Sequence, residues 1–405
     1  MRIEGGERAR GLAGAPRRGE SGSLPAMTAK VLCVAGARPN FMKIAPLLAA
    51  FRSARHLEAR LIHTGQHYDA KLSQVFFEEL KIPRPDVELE VGSGTHAQQT
   101  AEIMKRFEEV AVREQPQAVL VVGDVNSTTA CALVASKLKL EKPFRSRLGV
   151  RTRPIVIHVE AGLRSGDHDM PEEINRKVVD AISDLLFVSD PVGMELLAKE
   201  NIHDPERVFF VGNVMIDTLL GAREKAARST LRDELGVRGK PYGVVTLHRP
   251  SNVDDPENLA RLVATLDRIA ERVCLVFPVH PRTRQKLESL GQRFDDARWK
   301  VVEPCGYLDF LDLTANATLV LTDSGGIQEE TTVLGVPCIT LRENTERPCT
   351  IDQGTNRLVG TDPAAILAAV EAALTGAVEK RVPPLWDGKS AERIRDVLDR
   401  VFEGT

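Results

Sequence analysis

The sequence predicts an α/β protein built from two doubly wound, Rossmann-like domains that face each other across a cleft. Three observations carry that prediction. From Ala29 onward, short runs rich in β-branched residues alternate with longer runs of helical periodicity. The short runs are apolar on both faces, which suits strands of a parallel sheet covered by helices on each side. The alternation begins again near Arg207 and yields a second series of similar size, and 405 residues suffice for two such domains, each with its own core.

In the first series, residues 30–35 form a strand, 36–40 a turn, and 41–54 a helix. The unit recurs as strand 59–64 with helix 70–80, then as strand 118–122 with turn 123–126 and a helix from Ser127. It recurs again as strand 154–159, loop 160–171 and helix 172–183. The second series has strand runs at 207–211, 242–247, 272–277, 299–302, 317–321 and 337–341, with 223–240 as a polar helical excursion. The domains are accordingly assigned to 27–198 and 199–385. Residues 1–26 are rich in Arg, Gly, Glu and Ser and have no apolar centre, so they read as a disordered extension ahead of Met27, not as a secretory signal. Glu4, Glu7 and Glu20 also argue against a transit peptide.

Composition narrows the classes. A hydrophobic share of 42% and a charged share of 27% describe an ordinary globular chain, and no apolar stretch approaches the length of a membrane span. A formal net charge of −3 argues against a non-specific nucleic-acid binder. Six cysteines lack metal-ligand spacing, and Cys33, Cys274 and Cys338 sit inside strand runs, as buried thiols of a reducing cytoplasm would.

Ligands of open α/β sheets bind outside the carboxyl ends of the strands, so the residues just after each strand are the candidates for a site. After the first strand come Arg38 and Lys43, after the third Gly123-Asp124, and after the fourth His158, Glu160, Arg164, Glu172 and Arg176. The second domain contributes His248-Arg249, His280, Arg342 and Glu346-Arg347. It also contributes the run from Leu319 to Glu330, where a strand breaks at Ser324-Gly325-Gly326 and resumes as a helix closed by Gly335. Such a turn aims unpaired amides and the positive end of a helix dipole at an anion. Glu329 and Glu330, one turn further in, are placed to hold sugar hydroxyls. Each residue also has a structural explanation: His158 ends an apolar run, Glu172-Glu173 after Pro171 is ordinary helix-start chemistry, and Arg176 stands four residues from Glu172 as an intrahelical partner. Their convergence at strand ends is what favours function. No Gly-x-Gly-x-x-Gly follows the first strand, no Gly-x-Ser-x-Gly elbow occurs, and no Cys or His pair has metal-ligand spacing. Carboxylates, cationic anion clamps and a histidine or two remain, a set suited to proton transfer with departure of a phosphate leaving group.

The motifs Gly36-Ala37-Arg38-Pro39-Asn40-Phe41-Met42-Lys43, Thr64-Gly65-Gln66-His67, Gly123-Asp124, His158-Val159-Glu160-Ala161-Gly162-Leu163-Arg164 and Pro171-Glu172-Glu173-Ile174-Asn175-Arg176 resemble those of the non-hydrolysing UDP-N-acetylglucosamine 2-epimerases. So do Gly212-Asn213, His248-Arg249, Pro278-Val279-His280, the turn from Thr322 to Glu330, and Thr345-Glu346-Arg347-Pro348, in order and spacing from about Lys30 to the C-terminus. The resemblance implies the GT-B fold, a last helix (386–405) packing back on the first domain, a homodimer and no added cofactor. It implies catalytic roles for Asp124, Glu160, Glu172 and His248. Arg38 and Ser324-Gly325-Gly326 are expected on the diphosphate, Glu330 on the ribose, Phe310 on the uracil and Arg347 on the sugar or phosphate side. Lys43, Arg164, Arg176 and His280 complete the substrate-binding set.

The implied reaction is reversible epimerisation at C2, by elimination of UDP to 2-acetamidoglucal and re-addition. Its natural use is a cell-surface polysaccharide precursor. This chain departs from many relatives at Asn40, where they carry Glu, and at Pro250-Ser251-Asn252, where they carry Glu after the His-Arg pair. Gln66 and His67 fall in the region through which some bacterial members are activated by their own substrate. Competing readings are a hydrolysing 2-epimerase, an epimerase of a UDP-2,3-diacetamido uronic acid sugar, a GT-B glycosyltransferase and a non-catalytic nucleotide-sugar sensor. An aromatic content of 4% leaves little for an acceptor-binding surface, against the glycosyltransferase.

Overall fold

The computed structural model describes residues 28–65 and 79–404, with Arg38 described by its backbone alone. The expected extension 1–26, nearly all of the expected helix 70–80, and Gln66 and His67 lie outside the described residues. Among the described residues, no helix is long and apolar enough to cross a membrane.

The first series supplies β1 Ala29–Ala35, β2 Leu57–His63, β3 Val87–Glu88, β4 Ala118–Val122, β5 Phe144–Ser146, β6 Gly149–Arg151, β7 Ile155–Ala161, β8 Leu185–Val188 and β9 Val208–Phe210. Seven of these form a sheet in the order β3-β2-β1-β4-β7-β8-β9, with every pair parallel, while β5 and β6 make a separate antiparallel hairpin. The second series supplies β10 Tyr242–Thr246, β11 Cys274–Pro278, β12 Trp299–Val302, β13 Leu319–Thr322, β14 Cys338–Thr340 and β15 Asn356–Leu358. These form a second parallel sheet, β12-β11-β10-β13-β14-β15. Two-sided burial explains the apolar runs: every residue of β4 and of β13 is buried. Each sheet winds outward both ways from its first strand, so each has a switch point, between β1 and β4 and between β10 and β13. Side chains converge on a ligand at such points.

One boundary differs from the expectation. The run near Arg207 pairs with β8 as the edge strand of the first sheet, so it closes the first domain instead of opening the second. A three-residue apolar strand fits either sheet edge equally well, and only the β8 register decides.

The helix Ser390–Phe402 places Ala391, Ile394, Val397, Leu398, Val401 and Phe402 in the core of the first domain. Asp217 receives the amides of Ser390 (3.1 Å) and Ala391 (2.7 Å) and so caps the helix start. Between the domains, Met42 of helix Arg38–Phe51 and Leu219 and Ala222 of helix Val214–Ala226 pack with Tyr307 and Leu311 of helix Tyr307–Ala315. The two sheets therefore share an apolar seam behind the cleft.

Candidate active site

The first wall begins at the β1 turn. Asn40 accepts hydrogen bonds from the amides of Gly36 (3.0 Å) and Ala37 (2.9 Å) and donates to the Val122 carbonyl (3.1 Å), tying the β1 and β4 ends together. A glutamate at this position accepts but offers no N–H, so the asparagine supplies a three-way brace. One turn later, Lys43 is buried and ion-paired to Glu160. Gly123 has φ +65°, and a Cβ there would stand 2.8 Å from the Lys43 ammonium, so both backbone and space demand glycine. Asp124 follows, with a quarter of its side chain exposed, and pairs with Arg176 at 2.5 Å. Asn175 donates to the Asp124 carbonyl at 2.8 Å.

Arg176 is almost wholly buried and is also held by Glu173 at 2.8 and 3.1 Å. Its partners are thus Asp124 and Glu173 rather than the expected Glu172. Glu173 accepts from the amides of Ser165 (2.9 Å) and Gly166 (3.3 Å), which folds the loop before the helix Pro171–Ile182. Burial alone would raise the Glu173 carboxyl, yet these amides and Arg176 hold it below its ordinary value. That leaves Glu172, in the first helical turn, facing the cleft.

The second wall is the turn after β13. Ser324, Gly325, Gly326 and Ile327 open the helix Gly325–Leu334 and line the cleft. A Cβ on Gly325 would lie 2.4 Å from a carboxylate oxygen of Glu346, so with any other residue here that side chain would have to shift. Asp323, fully buried, accepts from the amides of His248 (3.0 Å) and Arg249 (2.9 Å), from the Asn252 amide group (3.2 Å), and faces His248 Nδ1 at 2.9 Å. Burial works against the Asp323 charge, but His248 and these amides outweigh it and lower the carboxyl. Asn252 also donates to the Leu341 carbonyl at 2.9 Å. Asn252 thus supports the His248-Arg249 turn from the stretch after the His-Arg pair.

Arg347 joins the walls. It is buried, reaches Glu160 of the first domain, and lies 2.8 Å from Glu329 of the second. Glu329 accepts from Asn213 as well, at 2.8 Å, so it turns away from the cleft while Glu330 lines it. Burial and the neighbouring Glu329 push Glu330 up to about 8, against a hydrogen bond with Tyr307. Burial also raises Glu329, to about 7. Glu160 goes the other way: burial would raise it, but Lys43 and Arg347 hold it low.

These elements enclose a cavity of about 560 Å³. Its wall brings together Lys43, Asp124, Glu172, Arg176, His248, Phe310, Ser324, Gly325, Gly326, Glu330 and Arg347 of the expected set. The side chain of Arg38 lies outside the described residues. Three residues of the expected set do not line this wall. Glu160 stands behind Lys43 and Arg347 rather than on the wall, at a backbone φ of +74° beside the irregularity between Val159 and Ala161. Arg164 points away, bound to Asp180 (2.8 Å) and Glu200 (2.7 Å). His280 caps the helix Pro281–Ser289, accepting from the Arg282 amide at 3.3 Å, and is exposed outside the cavity. Tyr307, Met215 and Glu346 line the cavity without having been singled out for it. Of these, only Glu346 carried a sequence signal, its place beside Arg347.

The described chain matches a family model for UDP-N-acetylglucosamine 2-epimerase over residues 49–399. It is 41% identical over 380 residues to a UDP-N-acetylglucosamine 2-epimerase of Methanocaldococcus jannaschii, covering 91% of this chain and 98% of that one. It is 37% identical to a UDP-2,3-diacetamido-2,3-dideoxy-D-glucuronate 2-epimerase of Pseudomonas aeruginosa, covering 92% of this chain and 100% of that one. Among solved structures, the M. jannaschii UDP-GlcNAc 2-epimerase in complex with UDP-GlcNAc and UDP superposes with a TM-score of 0.80 at 40% identity, covering 91% of this chain and 99% of that one. The two facing sheets are those of the GT-B fold.

Proposed function

The chain belongs to the UDP-N-acetylglucosamine 2-epimerase family, and from that premise we propose that it interconverts UDP-N-acetylglucosamine and UDP-N-acetylmannosamine without net hydrolysis. The observation that carries this reading is the cavity itself. One wall offers a helix N-terminus and His248, the other offers Asp124 and Glu172, and Lys43, Arg176 and Arg347 lie between.

The C2 proton of the sugar is not adjacent to a carbonyl, so direct removal is slow, and elimination is the easier route. The anomeric C1–O bond breaks with its electron pair leaving on the diphosphate, a carboxylate takes the C2 proton, and a C1=C2 double bond forms. The diphosphate is received by the Ser324-Gly325-Gly326 amides and His248, with Arg38 joining them on the strength of the family resemblance. Phe310 packs the uracil and Glu330 holds the ribose. Re-addition returns the electron pair to C1, and a proton reaches C2 from the opposite face. Inversion needs a proton-handling group on each face, and Asp124 and Glu172 both line the cavity. Glu160 keeps Lys43 and Arg347 in place behind them.

The test is incubation with UDP-N-acetylglucosamine in deuterated water, followed by NMR. UDP-N-acetylmannosamine with deuterium at C2 of the pool is expected. Free N-acetylmannosamine as the main product would overturn the reading in favour of hydrolysis. A second reading, a UDP-2,3-diacetamido uronate, is supported by the P. aeruginosa relative. A faster wash-in of label into that sugar would select it. The enzyme acts as a homodimer in the cytoplasm, a reading supported by the family resemblance. Sedimentation at micromolar concentration is expected to give twice the chain mass.

A further inference from the structure

Behind the first wall lies a buried histidine that the reaction does not use directly. His158, on β7, is fully buried. Its Nε2 lies 2.9 Å from the Gly123 carbonyl, and its Nδ1 lies 2.6 Å from Oδ1 of Asp180, which is also fully buried. Hydrogen-bond accounting restricts its protonation. A carbonyl only accepts, so Nε2 carries a hydrogen. A second hydrogen must then sit between Nδ1 and Asp180, on one side or the other. The remaining oxygen of Asp180 accepts from the Arg164 guanidinium (2.8 Å) and the Gly162 amide (3.1 Å), an environment that stabilises a carboxylate and not a carboxylic acid. Burial would raise Asp180, but His158 and Arg164 outweigh it and hold its carboxyl low.

We infer that His158 is an imidazolium locked on by Asp180, a positioning residue that fixes the Gly123 carbonyl, and thereby Asp124, while placing a buried positive charge behind Glu160. The inference rests on the role proposed above for Asp124. Among the described residues, charged groups flank it on both sides. Asp180 and Arg164 face the ring on one side, with Glu200 on the far side of Arg164. On the other side Glu160 shares Lys43 and Arg347. The ring thus has two tasks that a neutral ring with a single N–H cannot combine: donating to the turn that carries Asp124, and countering a carboxylate.

The test starts with the intact enzyme, labelled with 15N in its histidine rings. One histidine is expected to show both ring nitrogens protonated at neutral pH, its signal absent in His158→Gln. In Asp180→Asn, where the amide donates to Nδ1, that signal should change to a neutral ring protonated at Nε2 alone. His158→Gln keeps an N–H for Gly123 but carries no charge, and its kcat should fall about 100-fold with KM for the nucleotide sugar nearly unchanged. A neutral His158 in the wild-type spectrum would overturn the inference even if neither variant folds. So would a His158→Gln enzyme with normal kcat. If Asp124→Asn instead retains full label wash-in while His158 is doubly protonated, the proposed role of Asp124 fails and the charge state stands.

Discussion

Asp124 and Glu173 share Arg176, yet only Asp124 reaches the cavity, because the Ser165 and Gly166 amides hold Glu173 in the loop. The difference makes Asp124 the testable member of the pair. Asp124→Asn is expected to lower kcat by about 10²–10⁴-fold, the range for loss of a general acid or base, with UDP affinity retained; label wash-in and calorimetric UDP titration check the two halves. Gly325→Ala should do the reverse. A methyl group there forces the Glu346 carboxylate to move at the cavity wall, so UDP binding is expected to weaken before label wash-in does. Much of this wall was readable from residue order, because strand ends name the loops that meet at a switch point. Which way a side chain turns was not readable. Arg164 sits in the loop after β7 and Arg176 in the helix that follows it, both candidates by position, but Asp180 and Glu200, both distant in sequence, capture Arg164. His280 caps its own helix in the same way, with a local contact that strand-end reasoning does not anticipate.

At the scale of elements, the helix Gly325–Leu334 places two acidic side chains in adjacent buried positions, and one of them goes uncharged. Glu330 titrates at about 8 in the fold against an ordinary 4.5. Between those values the folded chain keeps a proton that the unfolded chain has released, so stability falls as pH rises through that window. Calorimetry of the ligand-free protein should show Tm dropping from about pH 5 to about pH 8, with a shallower drop in Glu330→Gln. The C-terminal helix makes a second prediction. Leu398 is fully buried in the first core, and Leu398→Ala should cost about 2–5 kcal/mol in denaturant unfolding. The helix itself is legible from its apolar spacing, but its docking on the first domain comes from the family resemblance. Periodicity gives an element its apolar face and says nothing of the surface that face will meet, which is also why β9 went to the other sheet.

For the whole molecule, Arg347 is the cation that each domain uses to neutralise a buried carboxylate, Glu160 on one side and Glu329 on the other. Arg347→Met removes the shared charge, leaving Glu329 without a cation and Glu160 with Lys43 alone. Breaking a buried ion pair in this way costs about 3–5 kcal/mol. That penalty is relieved if the domains part, so the variant is expected to show a larger radius of gyration by solution scattering. Its epimerase turnover should be largely lost. An unchanged radius would mean that the apolar seam of Met42, Leu219, Tyr307 and Leu311 holds the halves together unaided.

The chain passes between the domains twice, once after β9 and once before the helix Ser390–Phe402, and Asp217 on the first passage caps the helix that follows the second. The first half is therefore not a contiguous piece of sequence, because its last helix arrives only after the whole of the second. A fragment ending after β9 lacks part of its own core, and a fragment beginning there carries a helix whose apolar face belongs to the other piece. Two such polypeptides made separately in one cell would be complementary: each should be insoluble alone, and together they should co-purify as a working enzyme.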